Sequence, residues 1–267
     1  MNNPKIPDVF HPVFGLGTPR GYFPVKNWNR WGSLFLFILF IVGALLVFLL
    51  GIYDTCVATQ QHGPAMIDDR LTVPLAISII LFILGLLAGW KAYANWNKGA
   101  ATYERGVAYN DWKGLQVWRW DEVVSMTSAI TSHYTCGIHT GTTHHYTLSN
   151  PQKQRLVLSD SISHLEELAN EIDQNIFSLL YGPAADQYNA GQQIAFGPVA
   201  ISKGGIALGK KTCPWADVKE LSVHHGVLKV SRKQGGWFSG TRVSTAAIPN
   251  LRVLLAILQQ VVGLKVG

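Results

Sequence analysis

Two long apolar runs dominate the hydropathy pattern. Gly32 to Ile52 and Leu71 to Trp90 contain no charged residue. Each is about 20 residues, enough at a rise of ~1.5 Å per residue to cross a hydrocarbon core of ~30 Å. Neither run alternates with period two, so a helix is the element that satisfies its backbone groups in lipid. Trp31, Tyr53, Trp90, Tyr93 and Trp96 stand at the run ends, where interfacial aromatics anchor spans. The pattern predicts a transmembrane hairpin over 31–96, with spans at about 32–52 and 71–92. Neither run carries an ionisable side chain, which reads as anchor and packing surface rather than an ion path. Gly85 and Gly89 form a GxxxG step that admits a close helix. The first span, around Gly43 and Ala44, or a helix of another protein is the expected neighbour.

The rest of the chain has shorter periods. Residues 1–30 show neither a helical nor a strand period and read as an extended N-terminal arm. Gly15, Gly17 and Gly21 are no nucleotide loop: their spacing is GxGxxxG, Pro19 interrupts it and no strand precedes it. Strand-like pieces follow the hairpin at 103–109, 114–120, 123–130, 144–150 and 154–160. A helical period then takes over at 161–180, with Ile162, Leu165, Leu168, Ile172, Ile176 and Leu179 recurring and Gly182-Pro183 closing it. A second pass has strands at 192–198, 205–209, 218–225, 227–233 and 241–248, then a helix from about Pro249 to Val262.

The two passes form a divergent internal repeat. Arg105-Gly106-Val107-Ala108 leads to Trp120-Asp121-Glu122-Val123. Gly204-Gly205-Ile206-Ala207 leads to Trp215-Ala216-Asp217-Val218. A Gly-initiated strand, a Trp-acid-Val turn, further strands and a final helix resemble bacterial pleckstrin-homology-like domains. On a two-helix hairpin they are similar to uncharacterised bacterial membrane proteins carrying such domains. The resemblance implies two α+β units of antiparallel strands with one C-terminal helix each, at 100–182 and 190–263. It implies no activity, since that fold serves lipid, peptide and protein binding alike. Phosphoinositide-binding members carry basic residues in the loop after the first strand. Lys210 and Lys211 are assigned that place in the second unit; Asp111 and Lys113 in the first depart from the pattern.

Charge then separates the units. Residues 103–190 hold 5 Lys+Arg against 10 Asp+Glu, net −5; residues 191–267 hold 10 against 2, net +8. The whole-chain value of +6 hides this asymmetry. Basic flanks (Lys5, Arg20, Lys26, Arg30; Lys91, Lys98) and an acidic connection (Asp54, Asp68, Asp69 against Arg70) put both termini in the cytoplasm and the Tyr53–Arg70 loop outside, at the inner membrane. The first run exceeds the 7–15 residues of a signal h-region, so a cleaved leader is not expected. Lys210, Lys211, Arg232, Lys233, Trp237, Phe238 and Arg242 are the candidate partner- or lipid-binding residues, because a basic module beside an anionic leaflet is attracted to it. Trp237 and Phe238 alternatively fold back over their own strands. Nucleic acid is not expected, for want of a reading helix.

Chemistry is sparse. Cys136, His139, His144 and His145, with His133 nearby, are weak candidate ligands for Zn²⁺ or another transition metal. Their Thr- and Gly-rich surroundings read better as a polar loop, so no metal or cofactor is expected. Cys56, Cys136 and Cys213 give no disulfide framework. The sequence points to a non-enzymatic scaffold or accessory subunit holding other membrane proteins, or a larger membrane complex, at the cytoplasmic face. An anionic-lipid sensor is the alternative; metal-dependent activity ranks third.

Overall fold

A computed structural model describes residues 6–10, 15–63, 67–135, 138–224, 226–233, 240–263 and 265–266. The chain divides into two compact units. One takes in the residues up to Phe23, Ala101–Ala108 and Val117 onward; the other takes in Pro24–Ala100 and Tyr109–Gln116.

The internal repeat is a repeat of whole architecture. In the first copy β1 (Pro19–Pro24), β2 (Gly99–Tyr103), β3 (Gly106–Asp111) and β4 (Gly114–Arg119) are neighbours in that order. A 3₁₀ turn at Trp120–Glu122 leads to the antiparallel β5 (Ser125–Thr135), β6 (Ile138–Ser149) and β7 (Arg155–Ser159), then to helix α3 (Leu165–Asn189). The second copy has antiparallel β8 (Ile194–Phe196), β9 (Val199–Ser202), β10 (Gly205–Leu208) and β11 (Lys211–Pro214). A 3₁₀ turn at Trp215–Asp217 leads to β12 (Val218–His224), β13 (Val227–Arg232) and β14 (Thr241–Ser244), then to helix α4 (Leu251–Val261). A two-residue strand, β15 (Lys265–Val266), runs parallel to β12 on its outer edge.

The same joints recur in both copies. Trp120 N donates to Arg105 O and Trp215 N to Gly204 O, at 3.0 and 3.4 Å. Beside each joint a glycine admits a backbone. A Cβ at Gly106 would lie 2.2 Å from Trp118 O, and one at Gly205 would lie 2.3 Å from Cys213 O. Each helix is preceded by a buried isoleucine and a residue in the left-handed region: Ile162 and His164 (φ 54°), Ile248 and Asn250 (φ 51°). The short pattern Ile-x-(His/Asn)-Leu marks the start of both helices in the sequence.

Three expectations about the repeat need correction. The arm is not merely extended: Pro19–Pro24 is a strand beside β2, and Phe10 and Leu16 are buried with Tyr103 and Ala108. Its prolines bound an edge strand, a sheet position that tolerates them, and its partner lies beyond both apolar helices in the chain. The apolar hairpin is thus spliced into the first copy between its first and second strands. Secondly, Gly182-Pro183 does not close α3; both lie inside it. The N-terminal half of α3 buries Leu165, Leu168, Ala169, Ile172 and Ile176. The face then turns, and Phe177, Leu180, Tyr181, Ala184 and Tyr188 pack on the core of the second copy, leaving Leu179 exposed. The two copies therefore share a helix instead of ending at 182 and starting at 190. Thirdly, the loop carrying Lys210 and Lys211 follows the third strand of its copy. The residues after the first strand, Gly197-Pro198, carry no charge.

Further contacts join the copies. Asn250 N donates to Met126 O (2.8 Å), its Oδ1 accepts from Met126 N (2.9 Å) and its Nδ2 donates to Val124 O (2.9 Å). Arg252 pairs with Asp173 at 3.2 Å and lies 4.7 Å from the Phe177 ring centroid. Gln260 Nε2 donates to Tyr181 Oη at 2.7 Å.

The other unit holds helices α1 (Ser33–His62) and α2 (Ile67–Trp96), 30 residues each. Both are long and apolar enough to cross a membrane, and only 11% of each apolar window is buried. The helices pack through small residues. A Cβ at Gly85 would meet Ile41 Cδ1 at 2.8 Å, one at Gly89 would meet Phe37 Cδ2 at 2.8 Å, and Gly51 faces Pro74. The segment expected to be the Tyr53–Arg70 loop is largely helix. Thr55 and Ala58 are buried in it, and the Thr55 and Thr59 hydroxyls donate to the carbonyls four residues back, at 2.7 Å each. Asp54 and Arg70 pair at 3.6 Å near the end where α1 connects to α2.

The joints set two stability tests. Gly106→Ala drives a Cβ into backbone and is expected to cost about 3 kcal/mol, lowering Tm by about 10 °C in a tryptophan-fluorescence melt; Gly141→Ala, with open space around its Cβ, is expected to leave Tm within about 1 °C. Asn250→Ala leaves the buried Met126 N–H without its side-chain partner, at a cost of about 2–3 kcal/mol. Asn250→Gly relieves the left-handed backbone but loses the same bonds, so it is expected to recover only part of the loss.

Candidate functional site

The ends of α1 and α2 gather an aromatic and cationic belt. A π-helical turn at Trp28–Gly32 precedes α1. The Arg30 guanidinium lies 4.2 Å from the Trp96 ring centroid and 5.9 Å from that of Trp31, and the two rings meet edge to face at 6.0 Å. Its Nε is buried with no hydrogen-bond partner, so contact with ring faces replaces water around part of the cation. Trp28, Trp31, Phe35, Leu36 and Lys91 line an open cleft of about 410 Å³.

Trp112 extends the belt. It stands at the β3–β4 hairpin tip, 59% exposed, with its ring 6.3 Å from Trp90 and Lys113 Nζ 5.4 Å above it. Trp90 in turn lies 6.1 Å from Tyr93. Lys113 N donates to Asp111 Oδ1 at 2.8 Å, which fixes the turn. Asp111 also acts on its neighbours: with burial as the larger cause, it helps push the Tyr109 hydroxyl up to about 12. Burial lowers Lys98 against the opposing pull of Asp111. The sequence hides Trp112 because it follows the second apolar run by more than twenty residues. Its one signal is an aromatic beside a lysine at a hairpin tip.

The predicted basic residues divide. Lys210 lies in the two-residue β10–β11 turn and Lys211 opens β11. Arg232 Nη2 donates to Thr212 O at 2.9 Å, which brings the end of β13 beside β11. Lys233 N donates to Asp217 O at 2.8 Å. Lys210, Lys211, Arg232 and Lys233 thus converge, whereas Arg242 stands opposite Lys229 on β14. Trp237 and Phe238 lie outside the described residues. Gly85 and Gly89 face α1 at Ile41 and Phe37; the nearest atom to Gly43 is Leu81 Cδ1, 3.9 Å from its Cβ position.

The histidine segment does not assemble as a metal site among the described residues. His144 and His145 are consecutive on β6, so they point to opposite faces. His144 has carboxylate neighbours instead: its Nδ1 is 3.5 Å from Asp160 and its Nε2 is 3.9 Å from Glu166. The side chains of His133, Cys136 and His139 lie outside the described residues. Among the described residues no group of three His, Cys, Asp or Glu gathers as a cation site. Cys213 is buried in the second core and Cys56 is exposed on α1; both are free.

No curated protein matches the chain. The match to DUF6585, a family of unknown function, runs over residues 11–264, and the chain therefore belongs to that family.

Proposed function

We propose that the protein is a non-enzymatic scaffold or accessory subunit. In this reading α1 and α2 form a transmembrane hairpin in a cell membrane, both termini are cytoplasmic, and the two copies are pleckstrin-homology-like units that hold partner membrane proteins at the cytoplasmic face. The observation that carries it is the splice. A hairpin whose apolar surface is uncovered is built between the first two strands of a repeat whose fourth-strand joint, three-strand sheet and closing helix suit a binding module. The order of four strands, a turn, three strands and a helix supports the pleckstrin-homology-like assignment. The aromatic belt supports the membrane setting, since tryptophans and lysines concentrate at headgroup depth.

A second reading has one observation in its favour. Lys210, Lys211 and Arg232 converge at one end of the second copy, which suits contact with anionic lipid at about 1 kcal/mol per surface-near cation.

Purification from native membranes in mild detergent, with mass spectrometry of what stays bound, tests the scaffold. One or more stoichiometric membrane proteins are expected, retained in a Lys210→Glu, Lys211→Glu, Arg232→Glu variant. A single clean species overturns the scaffold, and loss of membrane partners only in that variant moves the lipid reading forward. The membrane setting has its own test. In a Cys56→Ser, Cys136→Ser background, an environment-sensitive fluorophore on Ile80→Cys is expected to be quenched strongly by brominated lipid tails, and one on Trp112→Cys by shallow quenchers only. Water-like emission at Ile80 would remove the membrane from the reading.

A further inference from the structure

The outer face of the last sheet carries a pair of directly facing cations. Ser222 on β12 is in register with Lys229 on β13, and Lys229 is in register with Arg242 on β14. On the other side of β12, Lys265 of β15 stands opposite Ser222. One row across three strands therefore reads Ser222, Lys229, Arg242. Like charges in directly facing positions destabilise a sheet. The next pair on the same face, Val227 opposite Ser244, carries no charge, so the pairing of these strands does not itself require facing cations. The sole acidic residue in these four strands is Glu220, two positions along β12 on the same face.

The row opens into a cleft of about 330 Å³ lined by Ser222, His224, Val227, Lys229 and Arg242. That volume is at the lower end for small-molecule sites. The Lys229 stem is held along the hairpin: a Cβ at Gly240 would lie 3.1 Å from its Cε. A half-buried lysine stem, a guanidinium and a hydroxyl in one row form a donor set for a tetrahedral oxyanion.

The geometry points to a phosphate-binding site on this face, with Lys229 and Arg242 as the paired cations and Ser222 as a neutral donor. It takes the phosphate group of a soluble phosphate compound or of a lipid headgroup. It goes beyond the scaffold reading and stands whether or not partners co-purify. It also separates Arg242 from the Lys210, Lys211 and Arg232 group.

The test uses the full chain in phosphatidylcholine nanodiscs at constant ionic strength. Titration with inorganic phosphate is expected to saturate and to raise Tm. Lys229→Gln or Arg242→Gln is expected to weaken binding about tenfold, the loss of one charge-assisted contact, and Ser222→Ala about threefold. Lys229→Arg and Lys210→Gln are expected to bind as the parent does. Because the facing cations repel, Arg242→Gln is expected to raise Tm without phosphate while cancelling the phosphate-induced rise, which a merely structural role would not produce. In a parallel arm, phosphatidylcholine vesicles doped with phosphatidic acid are added in trans. Capture that depends on Lys229 and Arg242 assigns the phosphate to a headgroup; phosphate binding without capture assigns it to a soluble compound. Binding of neither probe, or equal binding by the parent, Lys229→Gln and Arg242→Gln, overturns the site.

Discussion

Helix α3 is the element on which the pairing of the two copies depends, because it must bury apolar side chains in two cores. Its first half closes the first copy and its second half supplies Phe177, Leu180, Tyr181, Ala184 and Tyr188 to the second. Continuing through Gly182 and Pro183 costs about 1 and 3 kcal/mol respectively. The four large side chains among them offset that at about 1–2 kcal/mol each for partial burial. Pro183 also frees the carbonyl of Leu179, which lies on the exposed side, where water can satisfy it. The helix ends at Asn189, one residue past Tyr188, its last side chain packed on the second core.

This explains which parts of the fold were legible in the sequence. The apolar hairpin announced itself because its signal is composition over twenty residues. The Trp turns and the helix periods were legible because each is a local pattern. What failed was non-local. Gly182-Pro183 is a sound stop signal unless a second core lies alongside. Strand β1 has no period of its own and acquires its structure from β2, more than seventy residues later. The Tyr53–Arg70 segment is polar enough to read as a loop, yet Thr55 and Ala58 find a helix to pack against. Of the candidate site, the cations were visible as charges. Their grouping was not, because it rests on the β13 register and on the reach of Arg232 to Thr212.

The copies have kept their joints and diverged in what the joints do. Both tryptophans make the same backbone bond, but Trp215 Nε1 also donates to Ser202 O at 2.8 Å, whereas Trp120 Nε1 is buried without a partner. Both helices start from a left-handed residue, but His164 turns to Glu167 at 3.3 Å while Asn250 grips the edge of β5 in the first copy. Asn250 uses both its backbone and its amide there, as a short added strand would. The second copy thereby protects an edge that is otherwise open to pairing, and Arg252 with Asp173 adds the one ion pair between copies among the described residues.

Magnitudes decide what the remaining charge is for. In the proposed membrane setting, more than twenty large apolar side chains of α1 and α2 are exposed to their surroundings. Even at about 1 kcal/mol each for half-burial, their transfer into lipid is worth tens of kcal/mol. A basic residue near an anionic leaflet adds only about 1 kcal/mol. The second copy therefore does not need its net charge of +8 to stay at the membrane. Among the described residues, Arg252 is the cation of the second copy whose ion pair reaches the first copy, so the joint between the copies does not account for the rest. A surface that is unnecessary for anchoring and costly as a facing like-charge pair is better explained by an anionic ligand, whose binding turns the repulsion between Lys229 and Arg242 into shared attraction.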